Sequence, residues 1–123
     1  MKIEIPQITL NAFKIFGDEK LEAELDLQEN AVKVAWSEIY NSIASGGSNI
    51  AYWDESPVER PGFKSFMRYA LHRSAKQDGF LQLSVMEIRN GEIIPTSDSQ
   101  HDNAEDFIRR RAWGRGAETV TVM

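Results

Sequence analysis

Cysteine is absent from this chain of 123 residues. Disulfides, thiolate zinc sites, iron–sulfur clusters and a cysteine nucleophile are therefore excluded. A chain without cysteine suits a reducing compartment, and the cytoplasm is the expected location. Long apolar runs are lacking too, since none approaches the roughly 20 residues that cross a bilayer. The opening Met1-Lys2-Ile3-Glu4-Ile5-Pro6 interleaves charge with isoleucine, without the unbroken apolar centre of a secretory signal. No membrane partner is expected. Asn-x-Ser/Thr acceptors, lipidation boxes and internal repeats are missing as well. Only two histidines, His72 and His101, are present, which limits the imidazole bases a catalytic site can draw on.

What is there is an ordinary globular composition with an unusual ordering of charge. The hydrophobic fraction of 41% and the charged fraction of 27% suit one domain with a modest core rather than a disordered chain. Residues 1–59 carry four Lys or Arg against eleven Asp or Glu, whereas residues 60–123 carry ten against eight. The halves thus hold −7 and +2 of the net −5. Such sorting predicts an acidic and a basic surface, whose fields act on partners at a distance.

Apolar spacing gives the expected elements. Ile8, Leu10, Phe13 and Ile15 alternate with a slip near Ala12, which predicts extended structure with a bulge. After Gly17-Asp18, Leu21, Ala23, Leu25 and Leu27 alternate with Glu22, Glu24 and Asp26. This predicts the second strand of a hairpin with an acidic face, against the helix propensity of Glu, Leu and Ala. Val32, Ala35, Trp36, Ile39, Tyr40 and Ile43 then follow helical spacing from about Glu29, and Gly46-Gly47 ends that helix at Ser45. A short strand over Ile50–Trp53 and a single turn after Ser56 lead to a second helix from about Gly62 to Lys76, with Phe63, Phe66, Met67, Ala70 and Leu71 on its core face.

Phe80–Ile88 reads as a strand. Asn90-Gly91 is a type I′ hairpin signal, and the return strand runs from Glu92 to Pro95. A polar loop over 96–101, a short helix from a capping Asp102 to Arg111 and a final strand over Glu118–Met123 complete the chain. The expected architecture is one compact α+β domain over residues 1–123, mainly antiparallel, with two or three packed helices in the order ββα, short strand or turn, αββαβ.

Candidate sites follow from charge. Glu22, Glu24 and Asp26, with Asp54, Glu55 and Glu59, form an acidic set that matches a basic protein surface. Arg60, Lys64, Arg68, His72 and Lys76 stand four apart and would form a basic ridge on the second helix, with Arg73 nearby. A solvated helix face accounts for the same spacing. Arg109, Arg110, Arg111, Trp113 and Arg115 make a denser cluster, able to hold phosphates and stack a base. The acids at the start of the same helix and the arginines at its end also complement the helix dipole without any ligand.

Asp98, His101, Asp102 and Glu105 offer oxygen and imidazole ligands, but their spacing matches no metal box, so no metal and no cofactor are expected. Asp54 and Glu55 are adjacent and point apart in either helix or strand, which disfavours paired acid–base work. The first functional expectation is thus a non-enzymatic protein that inhibits, adapts or neutralises a protein or nucleoprotein partner through charged surfaces. A nucleic-acid-binding accessory protein using Lys64, Arg68, Arg73 and the Arg109–Arg115 cluster is the alternative. An enzyme with a site near His101 is the third. A homodimer paired through the edge of the final strand is a further expectation.

Overall fold

The computed structural model describes residues 1–9, 17–76, 78–111 and 117–123. In chain order the elements are β1 (Lys2–Glu4), α1 (Glu19–Ala44), β2 (Ile50–Arg60), β3 (Phe63–Arg73), β4 (Leu81–Arg89), β5 (Glu92–Asp102), α2 (Ala104–Arg111) and β6 (Thr119–Val122). The six strands described form one sheet in the order β1-β6-β2-β3-β4-β5, and every pairing is antiparallel. Both helices pack against it, and the α+β domain expected from the sequence is the one observed. No described helix is long and apolar enough to cross a membrane.

The acidic hairpin strand expected over 21–27 is helix instead. α1 begins at Asp18, whose Oδ1 accepts hydrogen bonds from the Lys20 and Leu21 amides at 3.1 and 3.2 Å. Glu22 reaches back to accept from the Gly17 amide. The Asp18 contacts satisfy two orphan donors of the first turn, and helix propensity prevails over the local alternation. The expected extended segment over residues 8–15 lies mostly outside the described residues, and Ile8 and Thr9 are not in a strand. At the other end, α1 stops at Ser45 as expected, with Gly46 at φ +83°.

The expected helix over 62–76 is corrected to a strand. β2 runs to Arg60, turns at Pro61-Gly62 and returns as β3, with Arg60 opposite Phe63. Proline followed by glycine at φ +73° suits the two central positions of a type II turn. The neighbouring pairs Phe66-Met67 and Ala70-Leu71 imitate helical spacing, but in β3 their members fall on opposite faces. The single turn expected after Ser56 is also strand, interrupted by one extra residue between Glu55 and Val58. Pro57 lies at that irregularity, beyond the two residues that β2 pairs with β6, where it removes no ladder bond on that side.

Asn90-Gly91 forms the expected β4–β5 turn, with φ of +48° and +83°. The polar loop expected over 96–101 is part of β5, which continues past Pro95 to Asp102. Asn103, rather than Asp102, caps α2, its Oδ1 accepting from the Asp106 amide at 2.9 Å. β6 sits between β1 and β2, so both its edges are occupied. Dimerisation through that edge is therefore not available in this fold.

One face of the sheet carries the core. Ala51 and Trp53 of β2, Leu71 of β3, Leu81 and Leu83 of β4, and Val120 and Val122 of β6 pack with Trp36, Ile39 and Ile43 of α1 and Phe107 of α2. Trp36 joins the layers. Its ring meets Trp53 edge-on at 4.9 Å between centroids and Phe107 at 5.8 Å, an arrangement that aromatic quadrupoles favour.

Candidate interaction surfaces

The strand reading of β3 relocates the basic ridge. Lys64, Arg68 and His72 keep their spacing of four, but on a strand that places them on one face at intervals of about 13 Å. This is the face away from the helices, because Leu71 and Tyr69 occupy the other parity. A ridge of contiguous cations is not formed. Arg60 belongs to β2 and lies over the Phe63 ring at 4.8 Å, while Lys76 is in the turn after β3.

Most of the other arginines expected to meet nucleic acid have partners inside the chain. Arg68 makes a two-pronged contact with Asp54 at 2.7 and 3.0 Å, and this hydrogen bonding holds its pKa above the ordinary arginine value. Arg73 Nη1 donates to the Ile43 and Ser48 carbonyls at 2.9 Å, and its Nη2 donates to Asn49 Oδ1. It thereby supplies from β3 the cation that the last turn of α1 lacks. Arg109 pairs with Asp106 one turn earlier, and Arg110 is also engaged within the chain. Trp113 and Arg115 lie outside the described residues.

Arg111 enters the sheet side of the molecule. Its guanidinium lies 5.9 Å from the Trp53 ring centroid and 5.5 Å from that of Tyr69, and 3.8 Å from Glu55 Oε1. Trp53 and Tyr69 stack with a 6° interplanar angle, and Trp53 Nε1 donates to Glu55 at 3.1 Å. Burial first, and then the negative charge of Glu55, raise the pKa of Tyr69 above its ordinary 10.0. Arg111 Nε is buried without a hydrogen-bond partner. The same holds for Glu87 Oε2, which lies 2.7 Å from Arg89 without hydrogen-bond alignment. This cluster binds α2 to β2 and β3. The sequence names its charged members, but not their meeting, because the chain separates them.

The acidic set divides in two. Asp54 and Glu55 are held by Arg68 and Arg111 on opposite faces of the sheet, and Glu59 stands opposite Lys64 in the β2–β3 register. Glu22, Glu24 and Asp26 are exposed on α1 instead. With Glu19, Glu29 and Glu38 they give this helix six acids against Lys20 and Lys33.

A feature that alternation concealed runs between those acids. Ala23, Leu27, Ala31 and Val34 are spaced by three and four, all exposed, on the side of α1 opposite its buried stripe. Leu27 is 71% exposed and Val34 58%. Helical geometry places Glu19 and Asp26, with Lys33 beside them, along one flank of this stripe and Glu24 along the other, while Lys20 and Glu38 continue its line at the two ends. The signal was present in the sequence as a second helical stripe, once 19–31 is read as helix.

Among the described residues no group of three metal-ligating side chains comes together. Glu105 is exposed in α2, whereas the side chains of Asp98, His101 and Asp102 lie outside the described residues. Compared with known protein families, curated proteins and solved structures, the chain matches none.

Proposed function

We propose that this is a non-catalytic binding protein that docks a basic protein surface against the outward side of α1. The carrying observation is the exposed stripe through Leu27 and Val34 bordered by acids. Isolated surface leucines are commonplace, but apolar residues aligned over several helical turns and edged mainly by acids, six on α1 against Lys20 and Lys33, resemble an interface core with its charged rim. The partner that fits is an amphipathic helix with an apolar line flanked by Lys or Arg. Charge attraction would govern encounter, and the apolar contact would govern residence. A nucleic-acid partner is less favoured, because Arg73 is engaged with the end of α1, Arg111 is packed against Trp53 and Tyr69, and Lys64, Arg68 and His72 do not form a contiguous ridge.

The test titrates the protein with two synthetic helical peptides that share a leucine stripe, one flanked by lysines and the other by glutamates. The lysine peptide binds, weakens with added salt, and loses at least tenfold in affinity to the Leu27→Ser/Val34→Ser variant. Equal binding of both peptides, or unchanged binding by that variant, would overturn the reading. Thermal melting of the variant confirms an intact fold, since both positions are exposed.

A further inference from the structure

The face of the sheet turned away from the helices has a different chemistry, and we infer that it is a self-association surface on which a second copy of this chain docks sheet to sheet. The core cluster draws only on the other face, so no described helix covers this one. Its centre is Arg68, with its guanidinium 5.8 Å from the Tyr52 ring centroid and 5.5 Å from that of Phe66. Register adds Ala70 from β3 and Met86 from β4, with Ile88 buried beneath the same face. Tyrosine, phenylalanine, methionine and arginine are the residues that protein interfaces enrich, and here they form one contiguous patch.

Charge identifies the occupant. Among the described side chains this face carries Lys2, Lys64 and Arg68, with His72, against Glu4, Asp54 and Glu59, each acid beside a base through register or strand neighbourhood. Those formal charges of Lys, Arg, Asp and Glu balance, although the chain carries −5 and α1, on the opposite side, carries a large share of the acid excess. Two copies of an acidic protein repel each other least when these neutral faces meet and the acidic helices point outward. A strongly basic partner gains nothing here and is drawn to α1. The four long strands span roughly 19 Å by 30 Å, a footprint comparable with the ~800 Å² per partner of a standard interface.

A two-fold arrangement makes the same patch complementary to itself. Asp54 and Arg68 retain 44% and 38% of their side-chain exposure, so each has room for a second ionic contact from the other copy. The dimer does not depend on the docking proposed for α1. It would present two acidic helices on opposite sides, making the protein bivalent toward a partner with repeated basic sites.

The experiment measures mass in solution by sedimentation over a concentration series for the chain and for Arg68→Asp and Asp54→Arg. The parent chain sediments as a dimer. Each variant alone places like charges across the two-fold and shifts to monomer, with the dimer dissociation constant raised at least tenfold. Mixing the two variants restores a one-to-one heterodimer, which an unfolded variant could not do. The Leu27→Ser/Val34→Ser variant remains dimeric, which separates this surface from the α1 docking site. A monomeric parent at every soluble concentration, a dimer unaffected by either charge reversal, or no heterodimer on mixing would each overturn the inference. A dimer lost only on changing Leu27 and Val34 would overturn it as well, placing self-association on α1.

Discussion

Four consecutive residues of β2, Tyr52-Trp53-Asp54-Glu55, set the two sides of the sheet against each other. Trp53 is 2% exposed and packs on Trp36, while Tyr52 faces the helix-free side beside Arg68. Glu55 is paired with Arg111 at side-chain exposures of 12% and 17%, and Asp54 with Arg68 at 44% and 38%. The same two residue types, aromatic then acid, thus occur once inside and once outside. Inside, they hold α2 to the sheet and have no further capacity for partners. Outside, they are satisfied yet accessible, which is the condition for a surface that binds. The lesson is that charge pairing alone does not separate structure from interaction, whereas strand parity and burial do.

The largest test of this contrast replaces the two aromatics. Trp53→Ala should destabilise the fold by about 4 kcal/mol, since a large buried ring is removed from a cluster joining α1, β2 and α2. Tyr52→Ala should cost only about 1 kcal/mol, as expected for a substitution away from the core. Urea denaturation of the two variants measures both, and similar losses would mean that the outer face is covered as the inner one is.

How much of this contrast was legible in advance depends on the strand. The β4–β5 turn announces itself in Asn90-Gly91, because left-handed conformations at two successive positions demand such residues. That Asp54 and Glu55 diverge also follows from their adjacency alone. β3 is harder, since it is a central strand with apolar residues on both faces. Phe66 next to Met67 then reads as two steps of a helix, and the period of two is hidden. The first turns of α1 fail for the opposite reason: Leu25 is buried whereas Leu27 is 71% exposed, so their spacing of two marked no common face. Arg111 meeting Glu55, and Arg73 meeting the end of α1, are products of topology that local pattern cannot contain.

A smaller effect separates the faces through pH. Burial and the nearby Glu55 charge raise the pKa of Tyr69 above 10.0, outweighing the opposing effect of Arg111. The neutral phenol is therefore the form that the fold prefers. Its contribution to stability is full below the unfolded-state value of about 10 and is lost as pH rises through the higher folded-state value. The difference between the alkaline absorbance titrations of the chain and of Tyr69→Phe isolates this group. Its midpoint should lie above 10 and move down in Glu55→Gln. A midpoint unmoved by that change would assign the shift to burial alone.

The smallest effect expected is the most telling for the outer face. Asp54→Ala removes one partner of a hydrogen-bonded ion pair, yet both side chains are well hydrated, so the monomer should lose no more than about 1 kcal/mol. Arg68 remains solvated and can still lie between Tyr52 and Phe66. If the pair served mainly to hold β2 to β3, its removal would cost more than this, because the strand register would rest on it. The ladder from Ile50–His72 to Glu55–Met67 makes that unnecessary, since backbone pairing fixes these residues on both sides of Asp54. Stability measured at low protein concentration, where any dimer is dissociated, isolates the monomer's loss. A small loss there would leave the exposed pair free to act in recognition, while the buried Glu55–Arg111 pair retains the structural role.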